Sequence, residues 1–125
     1  MKAFTDIEQS KYLAEILPIE SADMWWDYYY SVISETGEYG KEPMLHKPVV
    51  NPKKAVPCWS LAALLNILPT VDNKNPVFCK DIRYDQWYIL YPGNATLESI
   101  HLHRHNNLID ACYELVTYLY EQKLL

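Results

Sequence analysis

A chain of 125 residues, half of them apolar and 22% charged, is long enough to bury one core and too apolar to be disordered. Its net charge of −5 argues against general binding to a nucleic-acid backbone, which needs clustered Lys and Arg. The three cysteines, Cys58, Cys79 and Cys112, are odd in number and far apart. That excludes a disulfide framework and a thiolate zinc site, and free thiols are expected.

The elements follow in chain order. Thr5-Asp6-Ile7-Glu8 reads as a capping box, with Thr5 capping and Glu8 reaching back. The helix it opens puts Leu13, Ile16 and Leu17 on one side and stops at Pro18. Residues 24–33, with five aromatics in Trp25-Trp26-Asp27-Tyr28-Tyr29-Tyr30, read as a strand. Residues 34–56 form a long connection with room for a short edge strand. Pro57 is then expected to open an apolar helix over 58–68, closed by Pro69. Strands over 77–82, 86–91 and 97–103 follow, with turns at Tyr84-Asp85 and Pro92-Gly93-Asn94. The last helix starts with Asn106 or Asn107 as its cap and runs to 122, burying Leu108, Ala111, Cys112, Leu115, Val116 and Leu119. This order predicts a single α+β domain over 1–125, a small antiparallel sheet of three to five strands packed by about three helices. Met1-Lys2-Ala3-Phe4-Thr5-Asp6 is no apolar signal region, and no window approaches the ~20 apolar residues of a membrane span. A soluble cytoplasmic protein without membrane contact is expected.

Eleven Tyr and four Trp stand against two Phe, so most aromatic rings here carry a polar handle. Five aromatics in six positions cannot all enter one small core, so some must line a surface or groove. Trp25, Trp26, Tyr28 and Tyr30 are therefore candidate ligand contacts, and Trp87, with Tyr88 and Tyr91, extends them if its strand lies alongside. The alternative is a sheet covered on both faces, which would bury the rings.

His101, His103 and His105 alternate just before the last helix and so would share one strand face. With Arg104 they can rim a pocket and hydrogen-bond an anion, or simply form the wet face of a strand whose Ile100 and Leu102 point inward. A metal site would require a carboxylate as well, Asp27 or Glu114, and none is assigned. Cys58 and Ser60 lack a glycine elbow and an assignable base, so Cys58 is expected to pack and Ser60 to cap or complete a turn. There is no Gly-rich phosphate loop and no paired-carboxylate motif, and no cofactor is expected.

Three segments carry a resemblance: Glu8-Gln9-Ser10-Lys11 leading to Ser21-Ala22-Asp23-Met24-Trp25, then Val56-Pro57-Cys58-Trp59-Ser60-Leu61 through Leu68-Pro69, and Leu108-Ile109-Asp110-Ala111-Cys112-Tyr113-Glu114. Together they resemble a group of short proteins from gut Bacteroides-type bacteria and their phages and mobile elements. Relatives commonly have proline where this chain has Asn107-Leu108. The group has no activity to transfer, and the resemblance implies a setting instead. In that setting a small acidic protein acts by stoichiometric binding to a host component, a protein or a nucleotide-like small molecule. A non-enzymatic binding protein is the expectation, with a histidine-dependent metalloprotein or hydrolase and a homo-oligomeric structural module as the alternatives.

Overall fold

The computed structural model describes residues 2–31, 36–48, 52–92 and 104–125. The secondary structure is α+β, as the order of elements predicts. Its described strands associate two by two, in three antiparallel pairs. The contacts of the chain gather into two compact units, Phe4–Ala63 and Leu64–Leu125 with Met1–Ala3.

In the Phe4–Ala63 unit, helix α1 (Ile7–Ile16) starts one residue later than the Thr5 reading predicts. Asp6 is the cap, its side chain accepting from Gln9 N while the Gln9 side chain accepts from Asp6 N. Thr5 is excluded from capping because it is fully buried and used elsewhere. Its N–H donates to Trp59 O at 2.9 Å, and its Oγ1 accepts from Trp59 N at 3.1 Å and lies 2.7 Å from Ser10 Oγ. Its carbonyl oxygen accepts from Trp26 Nε1 at 3.2 Å and from Cys58 Sγ at 3.4 Å.

The aromatic run is not one strand. It divides at Asp27 into β1 (Met24–Trp26) and β2 (Tyr28–Ser31), and the two halves take different partners. β1 pairs with β4 (Val56–Cys58), with Trp26 opposite Val56, and its other edge bridges Met44. β2 pairs with β3 (Thr36–Tyr39), the short strand expected in the connection. Since β4 occupies 56–58, Pro57 does not open a helix. It sits in a strand, where a proline is tolerated if its missing N–H faces away from the ladder. Helix α2 (Leu61–Ile67) begins only after Ser60, whose Oγ accepts from Ala63 N at 3.2 Å, while Asp23 accepts from Ser60 N and Ser60 Oγ. The capping role expected of Ser60 is what the structure contains. Leu13, Leu17, Trp26, Val56, Cys58 and Trp59 are buried in this unit.

In the second unit, Asp72 and Asn73 take left-handed backbone conformations (φ 51° and 62°) in a tight turn closed by reciprocal bonds between Val71 and Lys74. Asp and Asn tolerate that region better than most residues. Strands β5 (Val77–Asp81) and β6 (Gln86–Leu90) form a hairpin in the predicted place, with Asp85 left-handed in the turn. Helix α3 (Leu108–Glu121) is capped by Asn107, whose Oδ1 accepts from Asp110 N at 2.8 Å. It packs on β6 and buries Ile109, Ala111, Cys112, Leu115, Val116 and Leu119. Ile109 thus takes the place expected of Leu108, which is half-buried. Tyr91 is buried too, with its hydroxyl donating to Pro69 O at 2.9 Å. The expected turn at 93–94 and strand at 97–103 lie outside the described residues. Among the described residues no helix is long and apolar enough to cross a membrane.

Thr5 makes a direct test of the first unit. Thr5→Val keeps the side-chain shape and deletes the hydroxyl, leaving Trp59 N and Ser10 Oγ short of a buried partner. We expect a loss of about 1–3 kcal/mol in urea unfolding, with Thr5→Ser largely retaining stability. Equal stability of Thr5→Val and wild type would show that the hydroxyl contributes nothing.

Candidate functional site

The candidate contacts separate into three kinds of environment. Trp26 belongs to the core: it is 5% exposed, meets Phe4 edge-on at 5.6 Å, and shares its indole N–H between Thr5 O and Ser10 Oγ. As a ligand contact it is corrected by that burial. Tyr91 is buried likewise and cannot extend a platform.

Trp25, Tyr28, Trp87 and Arg104 are at least partly accessible, but each is engaged by a side chain of its own unit. Lys47 lies over the Trp25 ring at 5.3 Å and Lys54 over Tyr28 at 4.7 Å. Tyr28 also meets Tyr39 edge-on at 5.2 Å, and Lys11 lies over Tyr39 at 5.3 Å. Ring faces are regions of negative potential, and cations settle over them. The Tyr28 ring reaches diagonally along the hairpin onto Gly37, where a Cβ would collide with it. Only glycine admits that approach. Tyr30 pairs with Gly37 through the backbone, and its side chain lies outside the described residues. His101 and His103 lie outside them as well.

Trp87 does not join the aromatic run through a sheet, because β6 pairs with β5 and not with β1 or β2. The hairpin register places Phe78 and Lys80 on one face with Ile89 and Trp87. Lys80 lies over Trp87 at 5.5 Å and reaches Asp85 at 2.9 Å. Trp87 also exchanges both backbone hydrogen bonds with His105, at 2.6 and 2.9 Å. His105 Nε2 stands 3.4 Å from Glu114 Oε2 on α3, an ion-pair distance without hydrogen-bond geometry.

The opposite face carries Val77, Cys79 and Asp81 with Leu90, Tyr88 and Gln86. There Arg104 stacks over Tyr88 at 5.0 Å and donates to Asp81 Oδ2 at 3.0 Å. Arg83 donates to the same carboxylate through its backbone N–H and its guanidinium. The Arg83 bonds, with Arg104 adding its charge, hold the Asp81 carboxyl below the usual carboxylate range. Arg104, expected as a free anion contact, is thus part of a structural clamp that joins the hairpin to the segment entering α3. Asp81 and Tyr39 were not singled out by sequence, whereas Tyr88 was expected only as an extension of the aromatic contacts. The Asp-x-Arg spacing at 81 and 83 within a turn was the available signal for the first of them.

Among the described residues neither nucleophilic nor metal chemistry has an assembled site. Cys58 and Cys112 are fully buried, and burial raises both thiols, Cys112 to about 12. Asp27 is buried at the β1–β2 junction, with its Oδ1 lacking a hydrogen-bond partner. Among the described residues no three His, Cys, Asp or Glu side chains are grouped to hold a metal ion.

Among the described residues the most exposed large apolar side chain is at the hairpin tip, with Leu45 and Ile19 exposed elsewhere. Ile82 is 88% exposed and Tyr84 63%, with the Arg83 guanidinium 5.4 Å over the Tyr84 ring. Sequence reading placed Ile82 at the end of a strand and Tyr84 in the turn after it. Searches against protein-family models, curated proteins and solved structures gave no match to the chain.

Two measurements follow from this geometry. Stabilisation by ionised Asp81 is complete above the ordinary carboxylate range near pH 4 and is lost as pH falls through its lowered pKa. The Tm gap between wild type and Asp81→Asn should therefore be constant around neutrality and narrow in acid. A gap independent of pH would show that the charge is not what the arginines hold. Secondly, a maleimide should label Cys79 in the folded protein and reach Cys58 and Cys112 only on unfolding, read by peptide mass. Labelling of all three at one rate would contradict their burial.

Proposed function

We propose that this chain is a non-enzymatic binding protein that acts on a protein component of its host, in the phage or mobile-element setting the resemblance implies. The contact surface is the tip of the β5–β6 hairpin. The carrying observation is the exposure of Ile82 and Tyr84 beside Arg83 on a rigid turn. Tyr and Arg are the residue types that dominate binding hot spots, and a short two-stranded arm presents them with little entropy left to lose. The left-handed Asp85 and the Arg83–Asp81 bonds hold the turn in one shape.

Sequestration of a nucleotide-like small molecule receives less support. Stacking needs open ring faces, and those of Trp25, Tyr28 and Trp87 already carry Lys47, Lys54 and Lys80. A planar ligand would have to displace a cation from each.

A benzophenone amino acid at position 82 should cross-link one host protein on irradiation, and unlabelled wild type should compete. Ile82→Asp with Tyr84→Ser should weaken that competition at least about 100-fold, the loss of one strong hot spot or more. The far-UV spectrum should stay unchanged. Cross-linking that the double variant still competes away would overturn the tip as the contact. Saturable heat on titration with a nucleotide panel would instead support the small-molecule reading.

A further inference from the structure

Residues 40–48 follow β3 and run beside β1. Gly40 N donates to Asp27 O at 3.0 Å, and Met44 exchanges both backbone hydrogen bonds with Trp25, at 2.6 and 2.7 Å. A bridge of that kind sets the Met44 and Trp25 side chains on one face, and Lys47 lies across the Trp25 ring at 5.3 Å. Met44 is 38% exposed and its neighbour Leu45 72%, so two aliphatic side chains stand in water close to a tryptophan and a lysine. We propose that this segment is a membrane-docking surface, which rests Leu45, Met44 and Trp25 on the interface of a bilayer rich in anionic lipid.

Charge points to that occupant. The chain carries net charge −5, yet residues 40–54 hold four lysines, Lys41, Lys47, Lys53 and Lys54, against one acid, Glu42. All four are exposed, and among the described residues none stands within ion-pair distance of a carboxylate. Lys47 and Lys54 lie over rings instead, and a ring holds an ammonium in place without cancelling its charge. Lys53 and Lys54 lead into β4, on the other side of β1 from Met44. Two strand spacings, about 10 Å, separate the two sides, which is about one Debye length at physiological salt, so the four lysines act as one positive field. The rest of the chain is correspondingly more acidic, and that asymmetry orients the approach to an anionic surface.

Composition separates a bilayer from other anionic occupants. Protein interfaces are depleted in Lys, whereas a membrane interface takes Trp and Lys together with exposed aliphatics. The indole settles at headgroup depth, the lysines meet lipid phosphate, and leucine enters the acyl boundary. A planar nucleotide would have to displace Lys47 from Trp25. A bilayer leaves that pair intact, because the ammonium reaches the headgroups along the ring. Such contact needs no spanning helix, so the expectation of a protein without membrane contact, which rested on the lack of one, does not bear on it. The surface belongs to the Phe4–Ala63 unit and the hairpin tip to the other unit, so this inference does not rest on what the tip binds. A patch of this size gives weak, salt-sensitive binding.

The test is flotation of the full chain with vesicles of phosphatidylcholine alone and of an equimolar mixture of phosphatidylcholine and phosphatidylglycerol. Wild type should float with the anionic vesicles only, and should come off them as salt rises. Leu45→Asp should weaken partitioning about 10-fold. Lys41→Glu with Lys47→Glu should weaken it at least about 25-fold, at roughly 5-fold for each lysine. Leu45→Trp should strengthen it, which a variant that merely unfolds cannot do. Ile82→Asp, at the hairpin tip, should float as wild type does, so failure of the tip reading leaves this result unchanged. Absence of flotation with either vesicle at low salt would overturn the proposal. So would equal flotation with both vesicles, or a double lysine variant that floats like wild type. Binding to soluble poly-glutamate that anionic vesicles fail to compete away would overturn it in favour of an acidic protein.

Discussion

Thr5 carries an obligation from which the arrangement of its unit follows. A buried backbone N–H, a buried carbonyl and a buried hydroxyl must all find partners, since each costs about 1–3 kcal/mol if left bare. Thr5 meets that demand by drawing together elements distant in sequence: the start of α1 through Ser10, β1 through Trp26, and the end of β4 through Cys58 and Trp59. Each of those residues is fixed in turn. The indole N–H of Trp26 can enter the core only because two oxygens await it there, and the bonds to Trp59 keep residues 58–60 extended until Ser60 starts α2. One polar node therefore determines where a strand ends and a helix begins.

The aromatic surplus is managed by a different balance. Trp25, Tyr28, Tyr39, Trp87 and Tyr88 stay outside the core half-buried, and a neighbouring Lys or Arg lies across a face of each. The arrangement hides apolar surface under a solvated cation, which keeps a Tyr- and Trp-rich chain from presenting continuous sticky patches. In the aromatic run, Trp25 and Tyr28 each carry such a cation, Lys47 and Lys54. Elsewhere among the described residues apolar side chains meet water directly, as at Ile19, Leu45, Val77 and Ile82. Beside Ile82, Tyr84 has only Arg83 across it. The protein-contact surface proposed for this chain, the hairpin tip, is one of those exposed places.

The hairpin shows how ion pairs serve geometry more than stability. Asp81 binds an arginine two residues on and another from the segment entering α3, so the turn and the strand-like stretch around His105 are held to one carboxylate. The pairs are exposed, and exposed pairs add little stability. What they supply is a defined shape for the turn that joins β5 to β6.

Local signals were enough for much of this chain. Pro18 as a helix stop, Asn107 as a cap, the β5–β6 hairpin and the buried stripe of α3 rest on proline sterics, short side-chain caps and the 3.6-residue period. Those constraints act within a few residues and are written in composition. Tertiary structure decided the rest. The capping box moved from Thr5 to Asp6 because the core needed Thr5, and Val56–Cys58 became a strand because β1 was there to pair with it. The aromatic run broke at Asp27 because its halves found different partners, and Trp26 went inside while Trp25 took a lysine. Each outcome depends on a partner beyond the neighbouring turn of the chain, and no local period encodes that distance.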